Sequence, residues 1–193
     1  TTMNSEKLFY ISKCAYKENE EIDVSFLPPM SRRKLSKVDK AALCVMNEVY
    51  ENSDVKLVFA SQYGEFDRLK KLISQYSEEN EVSPATFSAS VHNSVIGQFS
   101  LLNGIKNSYN AMSAGDNTFC AGLIEAAVDC EQNKDVLYCY ADCFEPVGRD
   151  KTVAFACIVS KKPSPSSSSL AISLDDMKKY NLSKFLESAG VKK

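Results

Sequence analysis

Between Gly104 and Ala127 the chain reads as a tight glycine turn, a short strand from Tyr109 to Ser113, the triplet Ala114-Gly115-Asp116, and a helix. The helix places Phe119, Leu123, Ala126 and Ala127 on one face, at the spacing of a buried stripe. A strand that passes through a glycine onto a helix N-terminus constrains the fold more than any other stretch, because the helix must cover the sheet that the strand belongs to. The same junction is suited to hold a reactive side chain or an anion against backbone amides. Upstream, the extended pair Ser83-Pro84 leads into a helix-like patch containing His92, Asn93 and Gly97.

The remaining elements alternate as an α/β protein requires. Leu8 to Tyr16 reads as a first strand. Leu35, Val38, Ala42, Val45 and Val49 form one stripe at helical spacing, which predicts a single helix over Ser31 to Tyr50 with Ser31 as its N-cap. Val55 to Ala60 is short and nearly all apolar, the pattern of a strand buried on both faces. Glu65 to Tyr76 is amphipathic through Phe66, Leu69, Leu72, Ile73 and Tyr76. Val136 to Ala141 and Thr152 to Ser160 form a strand pair, joined by a turn around Pro146-Val147-Gly148.

At Pro163 the character changes to Pro-Ser-Pro-Ser-Ser-Ser-Ser, a linker composition too polar for a core. Leu170 to Leu174 then reads as a returning strand and Asp175 to Ala189 as a helix, with Asp175 and Asp176 at its positive end and Gly190 past its last turn. Residues 1–162 are expected to form the main body, and residues 163–193 a linker with a strand and helix of the same domain.

A chain of 193 residues with 44% hydrophobic residues suits one domain with a sizeable core. The net charge of −2 offers no basic surface for nucleic acid, and no apolar run is long enough to span a membrane. Thr1 to Tyr10 lacks an apolar signal core. Seven cysteines, an odd number with most in apolar segments, fit buried thiols in a reducing cytoplasm better than a disulfide framework. Cys139 and Cys143 lie four apart in a strand pattern without a second ligand pair, so neither a metal nor a cofactor is expected.

Four short motifs occur in order over residues 29–145: Pro29-Met30-Ser31-Arg32-Arg33, then Phe59-Ala60-Ser61-Gln62-Tyr63-Gly64-Glu65, then Ser83-Pro84 through Val91-His92-Asn93, then Ser113-Ala114-Gly115-Asp116. Together they resemble the β-ketoacyl synthases of the thiolase superfamily, in particular the short N-terminal ketosynthase-like family. The resemblance implies a mixed sheet covered by helices, one half of a thiolase-like fold. In a working ketosynthase the strand after the glycine turn ends at a cysteine that carries the acyl chain. Counted without gaps from Gly104 that position is Asp116, and with one gap Gly115. A carboxylate there would give a reactive anhydride in place of a thioester. The two histidines of decarboxylative condensation belong to the second half of that fold, and the single histidine here is His92.

The resemblance therefore implies an inactive subunit like a chain-length factor, which pairs with a full-length β-ketoacyl synthase and meets acyl-carrier protein only indirectly. The short family is associated with aryl-polyene-type lipid synthases. Carried over residue by residue, the floor of the partner's acyl tunnel and the dimer interface fall on Ala85, Thr86, Phe87, Ala89, Ser90, Val91, His92 and Asn93. Thr86 and Phe87 are the candidate gates, and small Ala85 and Ala89 leave room for a long or rigid chain. Asp116 is expected to cap the following helix, or to mimic an anionic intermediate. Two other readings stay open. One is a carrier-protein or acyl-chain binding module using Arg32, Arg33, Lys34 and Lys37. The other is an acyltransferase or thioesterase using Cys120, near a helix N-terminus, with His92 as base.

Overall fold

A computed structural model describes residues 7–51, 54–130, 134–164 and 168–191. Thr1 to Glu6 and, within the Ser/Pro linker, residues 165–167 lie outside the described residues. The strands are β1 (Leu8–Glu18), β2 (Lys56–Ala60), β3 (Tyr109–Met112), β4 (Val136–Cys143), β5 (Thr152–Ser160) and β6 (Leu170–Ser173). They form one mixed sheet in the order β3-β2-β4-β5-β1-β6. β3, β2 and β4 run parallel, while β5, β1 and β6 are each antiparallel to their neighbours. The long apolar runs of β4 and β5 have a simple cause: every residue of both strands is buried, because helices cover both faces of the sheet.

Alternation along each strand sorts side chains into two cores. Leu57, Phe59, Leu137, Cys139, Ala154 and Ala156 face α2 (Lys37–Val49) and α5 (Ser94–Leu102). Val58, Ala60, Tyr138, Phe155 and Cys157 face α6 (Thr118–Cys130) and the C-terminal helices α7 (Leu174–Met177) and α8 (Leu182–Ser188). On the second face α6 lies almost on the sheet. A Cβ at Gly122 would come within 2.6 Å of Tyr138 Cε2 and 2.7 Å of Ala60 Cβ, so only glycine permits this approach. Gly122→Ala is expected to cost about 1–3 kcal/mol, the range for overpacking, as a lowered urea midpoint with an unchanged slope.

Several expected boundaries move. The stripe over Ser31 to Tyr50 belongs to two helices, α1 (Pro29–Arg32) and α2. Ser36, not Ser31, is the cap: its Oγ accepts from Asp39 N at 2.9 Å, and the Asp39 carboxylate accepts from Ser36 N at 3.1 Å. This reciprocal box starts a helix more strongly than a lone serine. The stretch expected as one helix over Asp175 to Ala189 is likewise divided, since Ser173 caps α7 and the Asn181 side chain caps α8. The amphipathic helix α3 (Phe66–Glu79) forms as expected, but Leu72 is its one buried residue. Phe66, Leu69, Ile73 and Tyr76 all stay exposed. Among the described residues no helix is long and apolar enough to cross a membrane.

Candidate functional site

The second and third motifs fold against each other. After β2 the chain turns through Ser61 to Gly64, and the buried carboxylate of Asp142 on β4 organises that turn. It accepts from Ser61 Oγ at 2.7 Å, from Gln62 N at 3.0 Å and from Tyr63 N at 2.9 Å. Gly64 sits at φ 53°, and a Cβ there would lie 2.8 Å from His92 Nδ1. The glycine therefore answers two demands, a left-handed backbone and a ring packed against it. His92 Nε2 lies 3.0 Å from Met112 O. A carbonyl only accepts, so Nε2 carries the proton and His92 ties its turn to the end of β3. The ring also lies 5.7 Å from that of Phe59.

The junction after β3 is short. Gly115 (φ 56°) turns the chain, and Thr118 opens α6: its Oγ1 accepts from Ala114 N at 2.9 Å and donates to Gly115 O at 2.7 Å. Thr118 thus holds the helix start, not Asp116 as the sequence led us to expect. The exposed Asp116 carboxylate accepts from Gln62 Nε2 at 3.4 Å, so the turn after β2 and the loop after β3 meet side by side. Cys120 is buried within α6, and its thiol donates to Asn117 O at 3.2 Å. The sequence placed His92 and Cys120 in one candidate pair, yet their hydrogen bonds go to different backbone carbonyls.

A cavity of about 430 Å³ opens beside Gly115 and Asp116. Phe119, Tyr140, Phe144 and Leu186 form its apolar walls, and Arg149 and Lys151 add positive charge. Lys151 pairs with Glu18 at 3.0 Å, and the same carboxylate oxygen accepts from Tyr16 OH at 2.6 Å. Burial, reinforced by Glu18, holds the Tyr16 phenol protonated, and burial with the Asp142 carboxylate does the same for Tyr140. Sequence reasoning passed over Asp142, Arg149 and Lys151. An acid inside the otherwise apolar run Tyr138 to Phe144 was a signal for Asp142, because a buried charge needs partners. No local signal marks Arg149 or Lys151.

All seven cysteines are free thiols, and burial pushes those of Cys139 and Cys157 well up. No metal was expected at Cys139 and Cys143, and of the two only Cys143 lies in a cluster of potential ligand atoms among the described residues. Asp67, Cys143 and Glu145 do bring ligand atoms within 4.8 Å of one another. Lys37 is ion-paired to Glu145 and holds its carboxyl below the usual range, so positive charge is already supplied there.

The predicted floor segment lies at the open end of the sheet. Ser83 caps α4 (Pro84–Ser88), accepting from Thr86 N at 3.3 Å, and Ala85 and Phe87 sit on that exposed turn. Phe87 is 58% exposed, so the described residues leave most of it uncovered. Ala89 and Ser90 are half-buried, Val91 and Asn93 are exposed, and His92 anchors the turn to β3. α4 packs beside α3, and β3 is an edge strand with no neighbour on its outer side among the described residues.

Comparison with known proteins identifies the family. The β-ketoacyl synthase N-terminal domain profile matches residues 10–189. No curated protein matches the sequence. A chain of the ketosynthase ApeO in complex with its chain length factor ApeC from Xenorhabdus doucetiae superposes with a TM-score of 0.65 at 22% identity, over 72% of this chain and 63% of that one. The ishigamide ketosynthase/chain length factor gives 0.60 at 14% identity, over 73% of this chain and 48% of that one. A chain of AntDE:AntF, a type II acyl-carrier protein in complex with its ketosynthase, gives 0.64 at 11% identity, over 79% and 62%. The match thus spans between about half and five eighths of the length of these solved relatives. At such identities the likeness is one of fold, the mixed sheet with helices on both faces. The chain belongs to the β-ketoacyl synthase N-terminal domain family, within the thiolase-like fold.

Proposed function

We propose that this chain is a chain-length-factor-like subunit that lacks a nucleophile of its own and pairs with an active, full-length β-ketoacyl synthase. In that pair it shapes the far end of the partner's acyl tunnel during polyene or fatty-acyl biosynthesis. The observation that carries this reading is the open edge of β3 with exposed Tyr109 on it, together with exposed Phe87 and Val91 in the segment that His92 ties to the end of that strand, and the exposed apolar side chains of α3. Unpaired backbone groups beside unburied apolar side chains make an association surface, which a monomer would normally blunt. Stable interfaces bury about 1,200–2,000 Å² in total. Asp116, or Gly115, stands in the nucleophile's position and cannot hold a thioester, so acyl transfer rests with the partner.

The test is native mass of the chain expressed alone and with the ketosynthase encoded nearest to it. A one-to-one complex is expected, and Ile73→Glu should weaken it at least tenfold while leaving the circular dichroism unchanged, because Ile73 is 62% exposed in the lone chain. Wild-type behaviour of this variant would remove α3 from the interface, and a chain that ignores the ketosynthase would remove the pairing. In a reconstituted synthase, Thr86→Trp should shorten the product and Phe87→Ala lengthen it, since bulk at a tunnel floor limits elongation. An unchanged distribution in both would dismiss the gate. Acyl transfer by the isolated chain, lost in Cys120→Ser, would replace the pairing reading with a catalytic one.

A further inference from the structure

The end of β4 carries two potential ligands with a single residue between them. Cys143 closes the strand, and Glu145 opens the short turn Glu145–Val147 that follows it. Asp67, in the first turn of α3, comes up beside them, and one donor atom from each of the three lies within 4.8 Å of the others. No other trio of such donors gathers among the described residues. Neighbouring groups fix the arrangement. Asp142, the residue before Cys143, holds the turn that leads into α3 by accepting from Ser61 Oγ, Gln62 N and Tyr63 N. Gly148, at φ 75°, closes the turn after β4 by donating its N–H to Glu145 O at 2.9 Å. The rings of Tyr63 and Phe144 meet edge to face at 5.7 Å and tie one loop to the other.

What these groups lack is a partner that satisfies all three. The carboxyl groups of Asp67 and Glu145 are in contact, and burial followed by the Glu145 carboxyl raises the Asp67 pKa. Two acids that meet without a cation between them repel once both ionise. Lys37 is ion-paired to Glu145 alone, and Lys71 adds only a longer-range attraction. The Cys143 thiol is 5% exposed and makes no hydrogen bond to the described residues, although its sulfur belongs to the same group of donor atoms. A cavity of about 20 Å³, lined by Asp67, Cys143 and Lys37, has room for one water or one ion. It is far too small for an organic ligand.

We propose that Asp67, Cys143 and Glu145 form a site for a borderline-soft divalent cation of the Zn²⁺ class. A thiolate beside two carboxylates selects against Mg²⁺ and Ca²⁺, which take oxygen donors. A tetrahedral ion with ordinary Zn–S and Zn–O bonds holds its ligands about 3.5 Å apart. Closing from 4.8 Å or less needs side-chain rotation only, for which the 35% exposed Glu145 side chain has room. The fourth position is left to water. On binding, the thiol gives its proton to solvent, any proton held between the carboxyls leaves with it, and the Lys37 ammonium, 55% exposed, turns out to water. The ion thereby joins the end of β4 to the start of α3. The site goes beyond the pairing reading and does not depend on it, because all three ligands belong to this one chain.

The experiment titrates the full chain, kept reduced by a phosphine, with Co²⁺ as a spectroscopic stand-in for Zn²⁺ at neutral pH. A sulfur-to-cobalt charge-transfer band is expected, which Zn²⁺ removes by displacement and an equal concentration of Mg²⁺ does not. Cys143→Ser should lose the band, while Cys14→Ser, in the core on the opposite face of the sheet, should keep it. Glu145→Gln should weaken Zn²⁺ about tenfold or more, the loss of one charged ligand. Lys37→Met should tighten Zn²⁺ about threefold, because a competing surface ion pair is gone. Both side chains are partly exposed, so these two variants read the site without disturbing the core. The proposal is overturned if no band forms, if the band survives Cys143→Ser, or if Glu145→Gln binds as well as wild type. Displacement by Mg²⁺ as readily as by Zn²⁺ would overturn the choice of a softer ion, and no gain in Lys37→Met would place the ion away from Glu145.

Discussion

Replacement of Arg68 by methionine is expected to destabilise the protein by about 3–5 kcal/mol, the cost of stranding a buried charge by removing its partner. Arg68 Nη2 donates to Asp39 Oδ2 at 2.8 Å, and its Nε donates to Glu65 Oε2 at 2.7 Å. The side chains of Asp39 and Glu65 are 1% and 5% exposed, so water cannot take over from the guanidinium. The cluster also joins two helix starts. Asp39 closes the capping box of α2, and Glu65, just before α3, accepts from Ser36 Oγ at 2.6 Å. Arg68→Met keeps the aliphatic packing and removes the charge together with its hydrogen bonds, so chemical denaturation of this variant isolates the polar part. A loss under about 1 kcal/mol, as at an exposed pair, would show the cluster to be solvated in solution.

The same cluster gives a pH dependence whose sign is fixed. Burial and the neighbouring Glu65 carboxylate raise the Asp39 pKa to about 7. The folded state then holds a proton that the unfolded chain releases, so this contribution is fully present below the ordinary carboxylate range and is lost as pH rises toward 7. Unfolding free energy should therefore fall across that window. Asp39→Asn, which keeps the Ser36 contact as a neutral amide, should flatten the slope. The Arg68→Met penalty should shrink at pH 5 compared with pH 7.5, since a protonated Asp39 needs no counter-charge. An unchanged slope in Asp39→Asn would assign the titration to another group.

Phe119→Ala should cost about as much, roughly 3–5 kcal/mol, and its effect should reach the C-terminus. The Phe119 ring is the hub of the second core, with centroids 5.9 Å from Tyr138, 5.6 Å from Tyr140, 5.7 Å from Phe155 and 5.6 Å from Phe185. Its backbone carbonyl accepts the buried Tyr138 hydroxyl at 2.7 Å. Phe185 is the residue by which α8 rests on this hub, so truncation should loosen α8. Limited proteolysis should cut Phe119→Ala first between residues 178 and 191, while Phe119→Leu, closer in volume, should lose less than about 1.5 kcal/mol and resist cutting. Uniform cleavage across the chain in the alanine variant would mean that the whole fold, and not the docking of α8, had failed.

Much of the architecture was legible from period and punctuation alone. Apolar runs named β2, β4 and β5; glycines marked the turns at 104, 115, 148 and 190, all at positive φ; and the four motifs in order identified the family. What went wrong had local physical causes. The helix over Ser31 to Tyr50 was joined because a stripe of apolar residues is blind to a second cap, and Ser36 with Asp39 divides it. The stretch after Asp175 was joined for the same reason, at Asn181.

Other features were never in the sequence to read. Periodicity says that Phe66, Leu69, Ile73 and Tyr76 share a face, but not whether anything covers it; all four side chains stay exposed in the folded chain. Asp39, Glu65 and Arg68 are up to 29 residues apart, and Gln62 reaches Asp116 across 54. Tyr16, Arg149 and Leu186 become walls of one cavity only when β1, the β4–β5 connection and α8 converge on the start of α6. Local chemistry, read by spacing and propensity, determined most of the elements. The meeting of distant side chains depends on how two covered faces of one sheet bring separate loops to the same end, and only the tertiary structure decided that.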